Sequence, residues 1–182
     1  MKKLIVVFML VAASVFAQSA GERQKQLAAE AEKLRAIGRD PVIVAAVKAQ
    51  NAKKVTLQAI KALDAQWIAG KATALVKQTT TGPCADRLRA LVAANRTYGE
   101  TFVMDDQGAI VCATAKTSDY WQGDEAKFEQ AFRAGKGNVF IDRPKYDDSA
   151  SASIAQISVP VMDNDHADAR AIGAITVGIV VK

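Results

Sequence analysis

The stretch ETFVMDDQGAIVCATAKTSDYWQGDE, residues 100–125, decides the fold. Glu100–Met104 predicts a strand. Asp105-Asp106-Gln107-Gly108 is a turn signal, with Gly108 able to take a positive φ. Ala109–Ala115 predicts the returning strand, so the stretch opens on a β-hairpin. Thr117–Glu125 follows and sets two large rings, Tyr120 and Trp121, side by side in a polar connection. Asp119 and the pair Asp124-Glu125 bracket them. Rings placed so either cap a core or roof a pocket.

Downstream, Ala126, Phe128, Ala131 and Phe132 predict a short helix closed by Gly135-Lys136-Gly137. Three strands follow in expectation, at Asn138–Asp142, Ala152–Val161 and Arg170–Val180. Arg143–Ser151 and Met162–Ala169 are predicted to be polar connections. Upstream, the period changes from two to 3.6. Leu27, Ala31, Leu34 and Ile37 form one helical stripe that Gly38 ends. Asp40-Pro41 supplies a cap and a first residue for a second helix running to Asn51. Thr56 opens a third, whose stripe ends on Trp67 before Gly70. Thr79-Thr80-Thr81-Gly82 marks residues 71–82 as a loop, and Pro83 opens a fourth helix to Asn95. Helices followed by a strand meander imply an α+β domain whose antiparallel sheet offers its back face to the helical stripes.

Lys2-Lys3, the apolar run Leu4–Ala13 and small residues at Val15 and Ala17 form the three regions of a secretory signal peptide cleaved after Ala17. The apolar run is shorter than the roughly 20 residues that span a bilayer. A periplasmic or secreted protein is expected. Charge is split along the chain: residues 22–99 carry 14 basic and 6 acidic side chains, and residues 100–182 carry 8 and 13. The basic half is read as solvated helix faces. Its lack of interleaved aromatics and the exported compartment argue against nucleic acid. Cys84 and Cys112 are too far apart for a CxxC redox motif, and with one histidine they make a poor zinc site. An oxidising compartment permits a disulfide between them, and two buried thiols are the alternative.

The segments FVMDDQGAIVCAT, TSDYWQGDE, YDDS, AQISVPVMD and AIGAITVGI, taken in order, resemble the periplasmic PAS-like sensor domains known as PDC or Cache domains. DPVIVAAVKAQN and IKALDAQW resemble the helical lead-in of that group. The resemblance implies a five-stranded antiparallel PAS-like sheet over residues 99–182, forming one unit with a helical segment over 18–98. It also implies a small ligand (an organic acid, amino acid or amine) held on the sheet under the loops after the second and third strands. Asp119, Tyr120 and Trp121 would form one wall, and Arg143, Tyr146 and Asp147 the other. Members of that group are usually parts of membrane receptors. This sequence closes just after its last predicted strand, so a free-standing binding protein or a sensor subunit docking on a membrane receptor or envelope protein is expected. The alternative is an envelope interaction module without a ligand.

Arg143 has the fork for a carboxylate. Asp119 or Asp147 suits an amine, and Tyr120, Trp121 or Tyr146 can face a cation. The run Asp163–Asp168 begins like a calcium loop, but it lacks the glycine and the distal glutamate of that motif and is read as a turn. The single histidine, His166, sits in that turn and supports no Ser/His/Asp or Cys/His arrangement. No enzyme activity, metal or cofactor is expected.

Overall fold

The structure, a computed structural model, describes residues 21–148, 151–164, 166 and 168–181. The predicted signal peptide, residues 1–17, lies outside them. So do Asp165 and Ala167 of the acidic turn.

Helix α1 is seen over residues 21–37. It buries Leu27, Ala31 and Leu34, while Glu30–Lys33 and Glu32–Arg35 pair on its solvent side. Helix α2 (Pro41–Asn51) starts where the Asp-Pro signal predicts: Asp40 Oδ1 accepts from the backbone N–H of Val42 and Ile43. Helix α3 (Leu57–Ile68) is capped by Thr56 and buries Ile60 and Trp67. Helix α5 (Pro83–Ala94) begins on Pro83.

Between α3 and α5 the structure corrects the expected loop. Residues Thr73–Thr80 form helix α4. The threonines that signal a loop turn their hydroxyls back onto the helix instead. Thr79, Thr80 and Thr81 donate to the carbonyls of Leu75, Val76 and Lys77 at 2.7–3.1 Å. Each bond runs back four residues, so the hydroxyls find partners along the helix rather than in a loop. Leu75 and Val76 meanwhile pack against the core.

The sheet comprises β1 (Tyr98–Met104), β2 (Ile110–Ala113), β3 (Phe140–Ile141), β4 (Lys145–Asp147), β5 (Ala152–Met162) and β6 (Ala171–Val181), with helix α6 (Ala126–Phe132) between β2 and β3. All pairings are antiparallel and the order is β2-β1-β6-β5-β3. That is the expected five-stranded PAS-like α+β arrangement. The sixth strand, β4, corrects the reading of 143–151 as a loop throughout: Lys145, Tyr146 and Asp147 pair with Ile154, Ser153 and Ala152. Its side chains are all exposed, so no apolar alternation marks it in the sequence.

Alternation along the strands divides the core in two. Val103, Ala155, Ile157, Val159, Ile175 and Val177 face α1, α2 and α5. Phe102, Met104 and Ala174 face the other way, with Trp67, Tyr120 and Phe128. Each of the two clusters contains residues of the helical segment and of the sheet. Cys84, at the start of α5, is bonded to Cys112 of β2.

Candidate functional site

The Thr117–Glu125 connection is fixed from several directions. The Tyr120 carbonyl accepts from the Ile110 N–H at 3.0 Å, and Trp121 bridges to Ala109. Asp64 of α3 takes the backbone N–H groups of both Tyr120 and Trp121 on its Oδ1, at 2.7 and 3.1 Å. Trp67 donates its ring N–H to the Thr117 carbonyl at 2.8 Å, and its ring meets Tyr120 at 5.6 Å between centroids. Tyr120 is buried, and burial with the nearby Asp105 charge pushes its hydroxyl up to about 12. Trp121 is half-buried, donates to the Gln107 carbonyl at 2.8 Å and carries the Lys61 ammonium 4.3 Å from its ring centre. Asp119 is half-buried, with Ser118 donating to its carboxylate at 2.9 Å. In this structure the two rings cap the core and lock α3 onto the sheet.

Arg143, Tyr146 and Asp147 are exposed along β4 and the residues before it. The two expected walls do not face each other. Tyr120 is level with Ile110, and through Met104 and Ala174 with Pro160. Tyr146 is paired with Ser153. Seven residues of β5, roughly 23 Å at the usual strand rise, separate the two levels. The triplets also lie toward opposite edges of the sheet, one by β2 and one beyond β5. The second triplet borders a part of the sheet where Ile154 and Gln156 are half-buried.

That surface is the outer part of the sheet's second face. Across it, Phe102, Thr176, Ser158 and Phe140 are in register. Ser158 and Thr176 share a buried hydroxyl–hydroxyl bond of 2.8 Å. The seven-residue helix α6 reaches this row through Phe128 and Ala131. The next row toward β4 holds Gly178 and Gln156, in register, with Ile154 beyond. Gln156 and Ile154 are half-buried. A side chain is missing from the floor at Gly178: a Cβ there would stand 3.4 Å from Ile154 Cγ2 and from the Glu100 carbonyl oxygen.

Beside this floor Glu100 lies within electrostatic reach of Lys127 and Asp147. Glu100 as a whole is exposed on β1, but the packing around its carboxyl pushes it above its ordinary range; the Lys127 ammonium opposes that rise and the Asp147 carboxylate adds to it. Lys127, on α6, sits 5.5 Å from the centre of the Phe102 ring and is paired with Glu125 at 2.9 Å. Lys145 is turned to Asp142 at 3.1 Å. Sequence patterning singled out Asp147 and its neighbours. It missed Glu100, Lys127, Gln156 and Gly178, which only the strand register assembles. Asp64 was missed as well, although an aspartate inside α3 is a residue type that helix interiors disfavour.

No protein-family model matches the sequence, and no curated protein matches it. Solved structures do. The ligand-binding domain of the Pseudomonas aeruginosa PAO1 amino acid chemoreceptor PctC, in complex with GABA, matches at 15% identity and TM-score 0.41, covering 73% of this chain and 61% of that one. The sensor domain of the V. cholerae histidine kinase DctB matches at 12% identity and TM-score 0.39, covering 92% and 57%. The ligand-binding domain of the Campylobacter jejuni chemoreceptor Tlp3, in complex with 4-methylisoleucine, matches at 12% identity and TM-score 0.41, covering 87% and 60%. The chain spans about three fifths of the length of these structures.

Proposed function

We propose that this chain is a non-catalytic, extracytoplasmic binding domain that holds a small amino-bearing molecule on the second face of its sheet. It would act as a ligand-binding protein or as the sensor subunit of an envelope partner. The observation that carries the reading is the charge arrangement above Gly178. The Glu100 carboxyl feels one ammonium, that of Lys127, which is already paired with Glu125, and one further carboxylate, that of Asp147. A ligand ammonium group would place a further positive charge beside the Glu100 carboxylate. Its carbon skeleton would lie against the side-chain-free backbone at Gly178, with Ile154 and Gln156 beside it. Arg143 and Tyr146, on the rim, are proposed to receive a ligand carboxylate and the cationic end respectively. The signal peptide read at residues 1–17 supports the compartment.

The test is a thermal-unfolding screen against amino acids, simple amines, carboxylic acids and purines. A ligand at about 100 times its Kd adds roughly 2.7 kcal/mol. For a domain of this size that is about 5–11 °C in Tm. The expected result is a shift confined to amine-bearing compounds and lost in the double variant Glu100→Gln, Asp147→Asn. Shifts by amine-free acids alone, or an amine shift that survives in that variant, would overturn the reading.

A further inference from the structure

A groove of about 600 Å³ runs along the outer side of α2. The helix is apolar on two sides. Its inner side buries Ile43 and Val47. Its outer side presents Val42, Ala45 and Ala49, all exposed and three or four residues apart, so they form one strip. The facing wall is the junction of α4 with α5, and the floor includes the Cys84–Cys112 disulfide, which joins the start of α5 to β2. Lys53 stands just past the C-terminal end of α2 and is exposed. Its Nζ donates to Gln50 Oε1 at 2.8 Å. An ammonium has three N–H donors, and a neutral amide oxygen occupies one of them and leaves the charge uncompensated. Among the described residues that line the groove, Lys53 is the one charged side chain. Asp105, which interacts with the Gln50 side chain, lies outside that lining.

We infer that this groove binds a straight-chain fatty acid, its carboxylate on Lys53 and its alkyl chain along Val42, Ala45 and Ala49, over the disulfide. The charge at one end selects an anionic head group. From Val42 to Ala49 the helix rises about 10 Å, and that apolar strip selects an extended chain over a compact molecule. A short acid such as acetate or succinate has no chain to lay on it. The groove shares no residue with the surface above Gly178, so each site can fail alone.

The experiment is calorimetric titration with hexanoate, octanoate and decanoate, and with octanol as the uncharged counterpart. A methylene taken fully out of water strengthens binding about fourfold, and a chain in an open groove that gains half of that free energy should gain about twofold per methylene. Decanoate should therefore bind saturably and about fifteenfold more tightly than hexanoate. Lys53→Gln should weaken octanoate about two- to fivefold, the strength of an exposed ion pair, and leave octanol unchanged. Ala45→Phe places a ring in the groove from an exposed position and should abolish binding of the whole series, with an unchanged Tm showing that the variant is folded. No saturable binding of decanoate, an affinity independent of chain length, octanoate binding unaltered in Lys53→Gln, or decanoate binding that survives in folded Ala45→Phe would each overturn the assignment.

Discussion

Replacing Asp64 by alanine should detach the aromatic connection from α3. Its Oδ1 is the acceptor for two consecutive backbone N–H groups, Tyr120 at 2.7 Å and Trp121 at 3.1 Å. A hydrogen bond to a charged group contributes about 1.5–3 kcal/mol. Asp64 is only half-buried, so water can rescue part of the loss and the lower figure applies to each bond. Asp64→Ala should then cost about 3 kcal/mol. At about 2–4 °C per kcal/mol for a chain of this size, Tm falls by roughly 6–12 °C. Asp64→Asn keeps an acceptor oxygen without the charge and should cost about half as much. Urea unfolding followed by tryptophan fluorescence reads both values. A cycle with Trp67→Phe tests the coupling: Trp67 anchors the same connection through the Thr117 carbonyl at 2.8 Å, so the two losses should not add. An Asp64→Ala protein within about 0.5 kcal/mol of wild type, the range of an ordinary surface change, would refute the reasoning.

Gly108 has φ +85, and a Cβ there would collide with the Gly123 backbone. Gly108→Ala should therefore cost about 2–5 kcal/mol, from left-handed strain plus overpacking, measured by the same unfolding assay. The Cys84–Cys112 bond spans 28 residues. On the loop-entropy relation its reduction should cost about 3–4 kcal/mol, visible as a lower Tm in reductant and in the double alanine variant. Tyr98 and Tyr120 are both pushed up to about 12, Tyr98 by burial and by donating to Glu30, Tyr120 by burial and the Asp105 charge. The folded state keeps these protons longer than the unfolded chain does. Their contribution is thus complete below about pH 10 and is lost as pH rises from there to about 12, each tyrosine giving up roughly 1.4 kcal/mol per pH unit. Phenolate absorbance and Tm followed over that range check it.

Local signals located most elements because those elements are made locally. Asp40-Pro41 starts α2 through a side-chain cap, Thr56 starts α3, and Gly108 closes the hairpin with a positive φ. Helix α4 and strand β4 were hidden for two different reasons. Thr79–Thr81 have the composition of a loop, and only their back-bonding hydroxyls make them a helix end. Lys145–Asp147 bury nothing, and their strand state comes from pairing with Ala152–Ile154. The site was legible in part for a similar reason. Asp147 and Tyr146 stand out as loop residues, while Glu100, Lys127 and Gly178 come together only through the β1–β6–β5 register and the placement of α6. Tyr120 and Trp121 stand out even more, yet their N–H groups are spent on Asp64 and Gln107. The prominence of such a pair in sequence does not distinguish a capped core from a roofed pocket.

The most direct test of the binding surface is to fill its floor. At Gly178 an added Cβ would meet Glu100 and Ile154 at 3.4 Å, an ordinary contact distance, and a β-branched side chain suits a strand. Gly178→Ala and Gly178→Val should therefore fold, with Tm within a few degrees of wild type. The predicted result is that the amine-induced Tm shift shrinks in the alanine variant and vanishes in the valine variant. A full amine shift in a folded Gly178→Val protein would contradict a ligand site on the second face of the sheet.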